Sequence, residues 1–433
     1  MALLSIRRRF NLKSRLDREA AVVPEEFRCP ISLEMMRDPV TAATGITYDR
    51  LSIEVWLGMD NSTCPVTGRE IAGGVEGELV PNHTLRKMIQ DWCVANRSLG
   101  VERIPTPKIP VTDADVAGAL SEIAAASRRG EGPRCARVAA RVRRWARESE
   151  RNRVRILSHG ACAALVVALC AVATEHAEEI LAALAAISPL DEVAARAAAA
   201  SPAALRFLAR TLKQGTTLAA RGNAAWMLRQ MVAASRGGGW RAVAETEGMV
   251  EALAETVRRP VSSAATKAAL VCIMQAARGS EAAAGRAVEA GAVEAAVEMA
   301  AEAGDRSTCE KALGALEAMA RWEVGRRRAR GHALAVPVLA KKMFRVSELA
   351  TELAVSALLR LCSGGGDEEE ERRRCAVEAV ESGAFQKLLL LLQVGCSDEA
   401  REGATNLLRL LNGYRQRNEC VDSMDLKGLK RPI

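Results

Sequence analysis

The 433-residue sequence has very few aromatic side chains: Phe, Trp and Tyr make up 3% of it, although 49% of its residues are hydrophobic. Alanine supplies much of this apolar content, and alanine combines the best intrinsic helix propensity with a small side chain. The composition argues against a sheet-dominated fold and favours closely packed helices. At this length one compact core is not expected, so the chain should form two or more units.

The sequence also lacks the features of secreted and membrane proteins. It has no secretory signal, its 12 cysteines show no spacing typical of a disulfide framework, and its apolar run at residues 161–173 is too short to span a bilayer. Cysteines such as Cys162 and Cys272 lie inside apolar helical segments, where a free thiol is a small buried hydrophobe. We therefore expect no membrane partner and a reducing location, cytoplasmic or also nuclear.

The charge balance is basic, with a net charge of +8 and a pI of about 9.0. Much of the excess is arginine on helical segments, as between Arg134 and Arg147, which is typical of a solvated helix face. No aromatic side chains alternate with these arginines to stack on bases. A nucleic-acid-binding solenoid is supported by charge alone, so we expect no nucleic-acid partner.

Paired metal ligands are absent as well. Cys29 and Cys64 stand where a RING finger has paired ligands, and each is followed by a proline. A tetrahedral zinc site needs four ligands, and Cys93 and His83 do not complete a set. The segment thus has the outline of a RING finger without its zinc ligands, and we expect neither a metal nor another cofactor.

The first domain is assigned to residues 24–97, after a flexible basic tail at 1–23. The segment between Asp38 and Asp49 predicts a hairpin, and Asp49 is expected to be the N-cap of the short helix that follows. Asn82 precedes the last helix of the domain as a good N-cap. The expected core face of that helix follows helical spacing: Leu85, Met88, Ile89 and Trp92.

The rest of the chain is helical and repetitive, after a linker at 98–117 that contains three closely spaced prolines. In each copy a small residue, often glycine, opens an apolar helix, and a longer amphipathic helix follows. The step from Gly248 to Gly291 is 43 residues, which is typical of armadillo or HEAT units. Such units stack into an α-solenoid, which we assign to residues 118–420, followed by a tail at 421–433.

Four short motifs of the first domain occur in order at residues 27–34, 47–50, 63–67 and 81–86. Together with the repeats, they resemble the plant U-box ubiquitin ligases that have C-terminal armadillo repeats. The resemblance implies a mainly α protein, in which a small α+β U-box, RING-like and zinc-free, precedes an armadillo-type α-solenoid. It also implies an E3 ubiquitin ligase that forms no thioester with ubiquitin. Such a ligase binds a ubiquitin-charged conjugating enzyme (E2) and promotes transfer to a lysine of a substrate bound by the repeats.

The same resemblance implies, by motif position, which side chains contact the E2: Ile31, Leu33, Trp56 and Pro65. For Trp56, a role in the core alone is the alternative. Many U-boxes have a basic residue directly after the Pro-Val-Thr of the second loop, where this sequence has Gly68. Arg69 is expected either to take that role with a shifted backbone or to be a surface arginine.

A zinc-free U-box must hold its loops by packing and hydrogen bonds. Cys29 precedes a proline and has no histidine nearby in sequence, so a buried structural role is preferred to nucleophilic chemistry. The residues expected to hold the loops are Cys29, Asp38, Asp49, Arg50, Asn82 and His83.

The alternative function is a non-enzymatic armadillo adaptor or scaffold, such as a nuclear-import receptor. Importin-type repeats present Trp-x-x-x-Asn pairs on successive helices. Here Trp226 is followed at that spacing by Gln230, and no equivalent pair in the other repeats consists of Trp and Asn. The adaptor hypothesis therefore has little support in the sequence.

Overall fold

The protein is described by a computed structural model that covers residues 22–59, 61–71, 79–104, 111–172, 176–234, 239–363 and 369–422. Two compact units divide the chain, residues 1–109 and residues 110–433. Nearly all of the two predicted tails, and the three prolines of the predicted linker, lie outside the described residues.

The first unit contains a three-stranded antiparallel sheet in the order β2-β1-β3. Its central strand pairs Val40 with Tyr48 on one side and with Pro81 on the other. The predicted hairpin is confirmed, and it turns at Gly45, whose φ is +81°. The strands are β1 (Pro39–Thr41), β2 (Thr47–Asp49) and β3 (Val80–Pro81).

Two α-helices pack against this sheet, α1 (Arg50–Gly58) and α2 (His83–Ala95). Single turns of 3-10 helix lie at Glu25–Phe27 and Arg97–Leu99. The first precedes β1 in the chain, and the second follows α2. The core of the unit is small, and its largest fully buried side chains are Met36, Tyr48, Ile53 and Ile89.

The predicted core face of α2 is wrong at one position. Met88 is 53% exposed, whereas Arg86 and Cys93 are buried. The inward stripe is centred on Ile89, so the positions three residues before and four residues after it face the interior. Arg86 is buried because it pairs with a carboxylate of the first unit, which a hydrophobic pattern does not reveal.

The second unit begins earlier than the linker prediction implied. Its first helix, α3, starts at Asp113, inside the segment predicted as linker. Thr112 and Asp115 form a capping box: the Asp115 amide donates to Thr112 Oγ1 at 3.2 Å, and the Thr112 amide donates to Asp115 Oδ2 at 3.1 Å. This arrangement satisfies two amides at the start of α3 that would otherwise lack partners.

The helices of the second unit repeat a pattern of a short helix, a second helix and a longer third helix. The third helices α10, α13, α16, α19 and α22 pack in sequence into one layer. The bounds are α3 (Asp113–Arg128), α4 (Gly132–Glu148), α5 (Glu150–Ser158), α6 (Ala161–Val172), α7 (Ala177–Ala186), α8 (Glu192–Ala199), α9 (Pro202–Gln214), α10 (Leu218–Ala234), α11 (Gly239–Glu245), α12 (Met249–Arg258), α13 (Ser263–Gly279), α14 (Glu281–Glu289), α15 (Ala292–Glu302), α16 (Arg306–Met319), α17 (Glu323–Arg330), α18 (Ala335–Lys342), α19 (Glu348–Cys362), α20 (Glu369–Glu381), α21 (Ala384–Val394) and α22 (Asp398–Asp422).

Small residues set the close packing of these helices. Gly248, Gly291 and Gly383 precede α12, α15 and α21 in the left-handed conformation, with φ between +70° and +82°, which only glycine adopts without cost. Inside α16, a Cβ on Gly314 would lie 2.7 Å from the sulfur of Met274 on α13. Glycine and alanine therefore let neighbouring third helices approach each other closely.

The apolar run predicted to be a buried helix of a repeat is α6, whose Leu165 and Leu169 are fully buried. Within the described ranges, no single helix has the length and apolar character needed to cross a membrane. The pair formed by α5 and α6 meets that criterion jointly, with a bend of 73° between the two helices.

Candidate functional site

The first loop of the first unit, residues 29–34, presents an apolar side chain on a constrained backbone. The Leu33 amide donates to the Cys29 carbonyl at 2.8 Å, and the Cys29 amide donates to the Glu34 carbonyl at 2.8 Å. Leu33 has φ of +61° and is 69% exposed. A positive φ is uncommon for leucine and often occurs at functional positions. Ile31, on the same loop, is half-buried and packs against the core.

Cys29 anchors this loop to β2. Its side chain is fully buried, and its Sγ accepts a hydrogen bond from the Asp49 amide at 3.3 Å. Burial alone would raise the pKa of the thiol, but hydrogen bonds from the backbone of Ser32, Asp49 and Ile31 lower it below the ordinary value. The sulfur is therefore held by donors of the protein itself.

Cys64 has the corresponding place in the second loop, residues 63–69. Its buried Sγ lies 2.9 Å from the Tyr48 hydroxyl and 3.4 Å from the Thr67 amide. Burial opposes ionisation, yet the hydroxyls of Thr44, Thr67 and Tyr48 and the Thr67 amide together lower the pKa of Cys64 to about 6. The buried Thr44 hydroxyl makes no hydrogen bond within the described residues, so the contacts that the structure shows at this sulfur are those of Tyr48 and Thr67.

The same contact has the opposite effect on Tyr48. Burial first, and then its hydrogen bond to Cys64, raise the pKa of the Tyr48 phenol. The opposite directions of the two pKa shifts are those expected when the phenol donates to the sulfur. Sequence reasoning missed Tyr48 and Thr67, because an apolar strand position and a loop threonine give no sign of a shared partner.

Trp56 joins α1 to the second loop. Its indole Nε1 donates to the Thr63 carbonyl at 2.8 Å, and Asn61 Nδ2 donates to the Trp56 carbonyl at 3.0 Å. The ring is half-buried and packs against the core of the unit. Pro65 of the second loop is half-buried as well. Asn61 is a further contributor that the sequence motif did not mark.

Gly68 and Arg69 lie at the end of the second loop. Gly68 has φ of +68°, and its amide donates to the Cys64 carbonyl at 2.9 Å. A Cβ would meet no neighbour there, so the backbone conformation and not space requires glycine. The Arg69 amide lies 3.4 Å from Thr67 Oγ1, and its side chain is exposed, with no ion pair to any described residue.

A network of charged side chains is centred on Asp38, directly before β1. Asp38 accepts from Arg50 Nε at 2.7 Å and from Arg86 Nη2 at 2.5 Å, and Arg86 Nη1 lies 3.2 Å from His83 Nδ1. The Asp38 side chain is 21% exposed and those of Arg50 and Arg86 are 16% and 10% exposed. The network connects α2 to the start of α1. Arg86 is its member that was absent from the predicted set.

Asp49 and Asn82 bond differently from each other, although both precede helices. Asp49 directly precedes α1 as predicted, but its side chain makes no cap hydrogen bond there, so the predicted capping role is wrong. Its Oδ1 instead accepts from the amides of Arg37 and Asp38 at 2.7 and 2.9 Å, which fixes the turn before β1. The Asn82 side chain accepts from the Leu85 amide at 3.0 Å and caps α2 as predicted.

The chemistry available at this site is binding. Ile31 and Trp56 pack on the edge of one core, while Leu33 and Arg69 project into solvent. The two sulfurs are hydrogen-bonded within the fold, and no set of three or more Cys, His, Asp or Glu among the described residues is placed to hold a metal ion.

Comparisons with known proteins agree with both units. Residues 23–98 match the family model "U-box domain", and residues 115–431 match "Plant U-box protein ARM repeat region". U-box domain-containing protein 21 of Arabidopsis thaliana is 37% identical over 95% of this chain and 93% of its own length. U-box domain-containing protein 26 is also 37% identical, over 93% and 95%. E3 ubiquitin-protein ligase PUB23 of the same plant is 31% identical over 90% and 93%.

Proposed function

Because the chain belongs to the plant U-box proteins with armadillo repeats, and is thus a U-box E3 ubiquitin ligase, we propose which of its residues recruit the E2. Leu33 and Ile31 of the first loop, Trp56 of α1 and Pro65 of the second loop form the E2-binding surface. The exposed Leu33, presented on a strained backbone, is the observation that best supports this assignment. An exposed apolar side chain adds little to the stability of the fold, but it can become buried when a partner binds.

The role of this surface is orientation. A U-box ligase has no covalent nucleophile of its own, so it accelerates transfer by holding the E2–ubiquitin thioester in a productive geometry near the attacking lysine. The Trp56–Thr63 and Asn61–Trp56 hydrogen bonds keep α1 and the second loop at one spacing. The E2 then meets two loops of defined geometry and pays little to order them.

Arg69 supplies the cationic contact to ubiquitin and E2 in this proposal. Gly68 follows Pro-Val-Thr in a left-handed conformation, and the arginine comes one position later in the sequence. The Arg69 side chain is exposed and has no ion-pair partner among the described residues. A guanidinium group presents several donors in one plane and suits two backbone carbonyls at once. Arg69 would therefore hydrogen-bond both partners when the complex forms.

The repeats bind the protein substrate. The U-box is small and its exposed apolar surface is occupied by the E2, whereas a stacked solenoid offers an extended face. We place this activity in the cytoplasm, with access to the nucleus, since the cysteines of the described residues are free thiols.

The test of the E2 surface is discharge of ubiquitin from a charged E2 to free lysine. Leu33→Ala should slow discharge at least about tenfold, because an apolar interface anchor is lost. Met88→Ala is the matched control, since Met88 is also an exposed apolar side chain of this unit but lies on α2. Equal rates for Leu33→Ala and the wild type would contradict the assignment.

The test of the repeats compares the full chain with one that ends at Pro110. The shorter chain should still discharge a charged E2, and it should lose its cellular targets. Unchanged ubiquitination of those targets without the repeats would refute the division of roles. That result would not support the adaptor alternative either, because the adaptor hypothesis requires that the full chain discharges no E2.

A further inference from the structure

A buried carboxylate lies among three arginines in the layer of third helices. Glu317, on α16, is 2% exposed. Its Oε1 lies 3.3 Å from the Nε of Arg321 and 3.3 Å from the Nε of Arg360, and its Oε2 lies 3.4 Å from Arg278 Nη2. The Ser356 hydroxyl lies 3.2 Å from the same Oε1. We call Glu317 and these three arginines the Glu317 cluster.

The cluster spans three consecutive repeats. Arg278 lies at the end of α13, Arg321 follows α16, and Arg360 lies on α19. Arg278 and Arg321 are 43 residues apart, as are Glu317 and Arg360, so each pair occupies one position of the repeat. The two Nε atoms on Oε1 can be no further apart than twice 3.3 Å. The guanidinium groups are therefore gathered at one point of the layer.

The charges of the cluster do not balance. Three guanidinium groups meet one carboxylate, and among the described residues no other acidic side chain forms an ion pair with these arginines. A buried carboxylate needs a compensating positive charge, and one of the three arginines is enough to supply it. Two positive charges remain in excess, on side chains that are 34–40% exposed while Glu317 is not.

Most hydrogen-bond donors of the cluster are unused. A guanidinium group has about five N–H donors, yet Arg321 and Arg360 each contact Glu317 through Nε alone. Arg278 uses one Nη2 contact, and its buried Nε has no hydrogen-bond partner among the described residues. The free Nη groups of Arg321 and Arg360 can bind the two oxygens of an incoming anion in the bidentate manner that arginine favours.

We propose that the Glu317 cluster binds an anionic side chain of the substrate polypeptide, either a Glu or Asp carboxylate or a phosphorylated Ser or Thr. The inference rests on the proposed substrate-binding role of the repeats, and it specifies the chemistry they recognise. The carboxylate of Glu317 offsets one of the three positive charges and so weakens their attraction for the ligand.

The experiment measures fluorescence anisotropy of labelled peptides with the full-length chain. One peptide alternates Glu and Ser, a second has phosphoserine in place of each Glu, and a third has Gln in those places. The first two should bind and the third should not, and the tighter of the first two identifies the source of the anion. The double variant Arg321→Gln/Arg360→Gln should weaken anion binding about tenfold or more.

The matched control is Arg196→Gln/Arg259→Gln. It removes the same charge from exposed arginines of the second unit, each of which pairs with a glutamate four residues earlier, at 3.5 and 3.1 Å. It should leave peptide affinity nearly unchanged, because exposed charges at a distance are screened by salt. Equal weakening by this control would reduce the effect to net charge and overturn the proposal.

Glu317→Gln separates a binding role from a structural one. Removing the carboxylate leaves three positive charges, so the anionic peptides should bind about threefold or more tightly. A cluster that only stabilises the fold would give a lower melting temperature with no gain in affinity, and that result would overturn the proposal. Should this variant not fold, Arg321→Lys/Arg360→Lys keeps both charges, and it should retain part of the affinity that the glutamine variant loses.

Ubiquitin discharge to free lysine, run on the same proteins, keeps the two proposals apart. All of these variants should discharge the E2 at the wild-type rate, because the changed residues lie in the second unit. Failure of both anionic peptides to bind, with discharge intact, would sink the cluster proposal and leave the E2-binding surface standing.

Discussion

The U-box and the repeats are stabilised in different ways. The U-box has a small core around Tyr48, Ile53 and Ile89, and its loops depend on individual polar contacts at Asp38 and Cys64. The repeats share one continuous apolar core, rich in alanine, that runs through the second unit. A small unit buries too little apolar surface to be insensitive to single polar contacts, whereas a solenoid distributes its stability over neighbouring repeats.

The largest expected difference between the units concerns one half-buried tryptophan from each, Trp56 and Trp226. Trp56→Ala should reduce E2 discharge about a hundredfold, because it removes an interface anchor and the hydrogen bond to Thr63. Trp226→Ala should leave discharge unchanged, since Trp226 packs in the second unit. A single-turnover assay measures both. Full activity of Trp56→Ala would leave Trp56 as a core residue only.

A smaller difference is expected for polar contacts. Asp38→Ala should lower the free energy of unfolding of the first unit by about 3 kcal/mol, because Arg50 and Arg86 would lose their common, largely buried partner. Ser262→Ala, which removes the N-cap of α13, should cost the repeats only about 1 kcal/mol. Urea denaturation of each protein gives the two values. Similar losses would mean that the polar network matters no more than a helix cap.

The pH dependence of stability should also differ between the units. The folded pKa of Cys64 is about 6, below its ordinary value of 9.0. Between these values the unfolded chain holds a proton that the folded chain has released. The free energy of unfolding of the first unit should therefore rise as the pH increases from about 6 to 9, by up to about 1.4 kcal/mol per pH unit. This contribution of Cys64 is lost as the pH falls through 6.

The controls are serine substitutions in the two units. Cys64→Ser should reduce the slope of stability against pH. In the repeats, burial raises the pKa of Cys272 to about 12, so that thiol stays protonated in both states below pH 9. Cys272→Ser should accordingly leave the slope unchanged. Identical slopes for the wild type and Cys64→Ser would show that no thiolate forms at Cys64.

The smallest effect is expected from metal removal. Both buried sulfurs are already hydrogen-bonded, Cys29 to the Asp49 amide and Cys64 to the Tyr48 hydroxyl, and a zinc ion needs four ligands of its own. Treatment with a chelator should leave the melting temperature of both units unchanged. Elemental analysis of the purified protein gives a second measurement, and one equivalent of tightly held zinc would contradict the prediction.

Local sequence signals were sufficient wherever one residue type has one common role. The glycines before α12, α15 and α21 marked helix starts, and the hairpin and the Asn82 cap of α2 followed from short-range preferences. The start of α3 also depends on a local signal, because Thr112-x-x-Asp115 is a capping box, but the prediction assigned both residues to the linker. These features depend only on residues within a few positions of one another.

The sequence by itself thus determined the family, the zinc-free outline of the U-box and the succession of helical repeats, since all three follow from motifs and from periodicity along the chain. Tertiary structure alone decided which polar groups meet. Arg86 reaches Asp38 across 48 positions, Tyr48 reaches Cys64 across 16, and Arg360 reaches Glu317 across 43. Partners so far apart are selected by the packing of whole elements, because the cost of burying a charge or a thiolate is met only where the fold brings a donor to it.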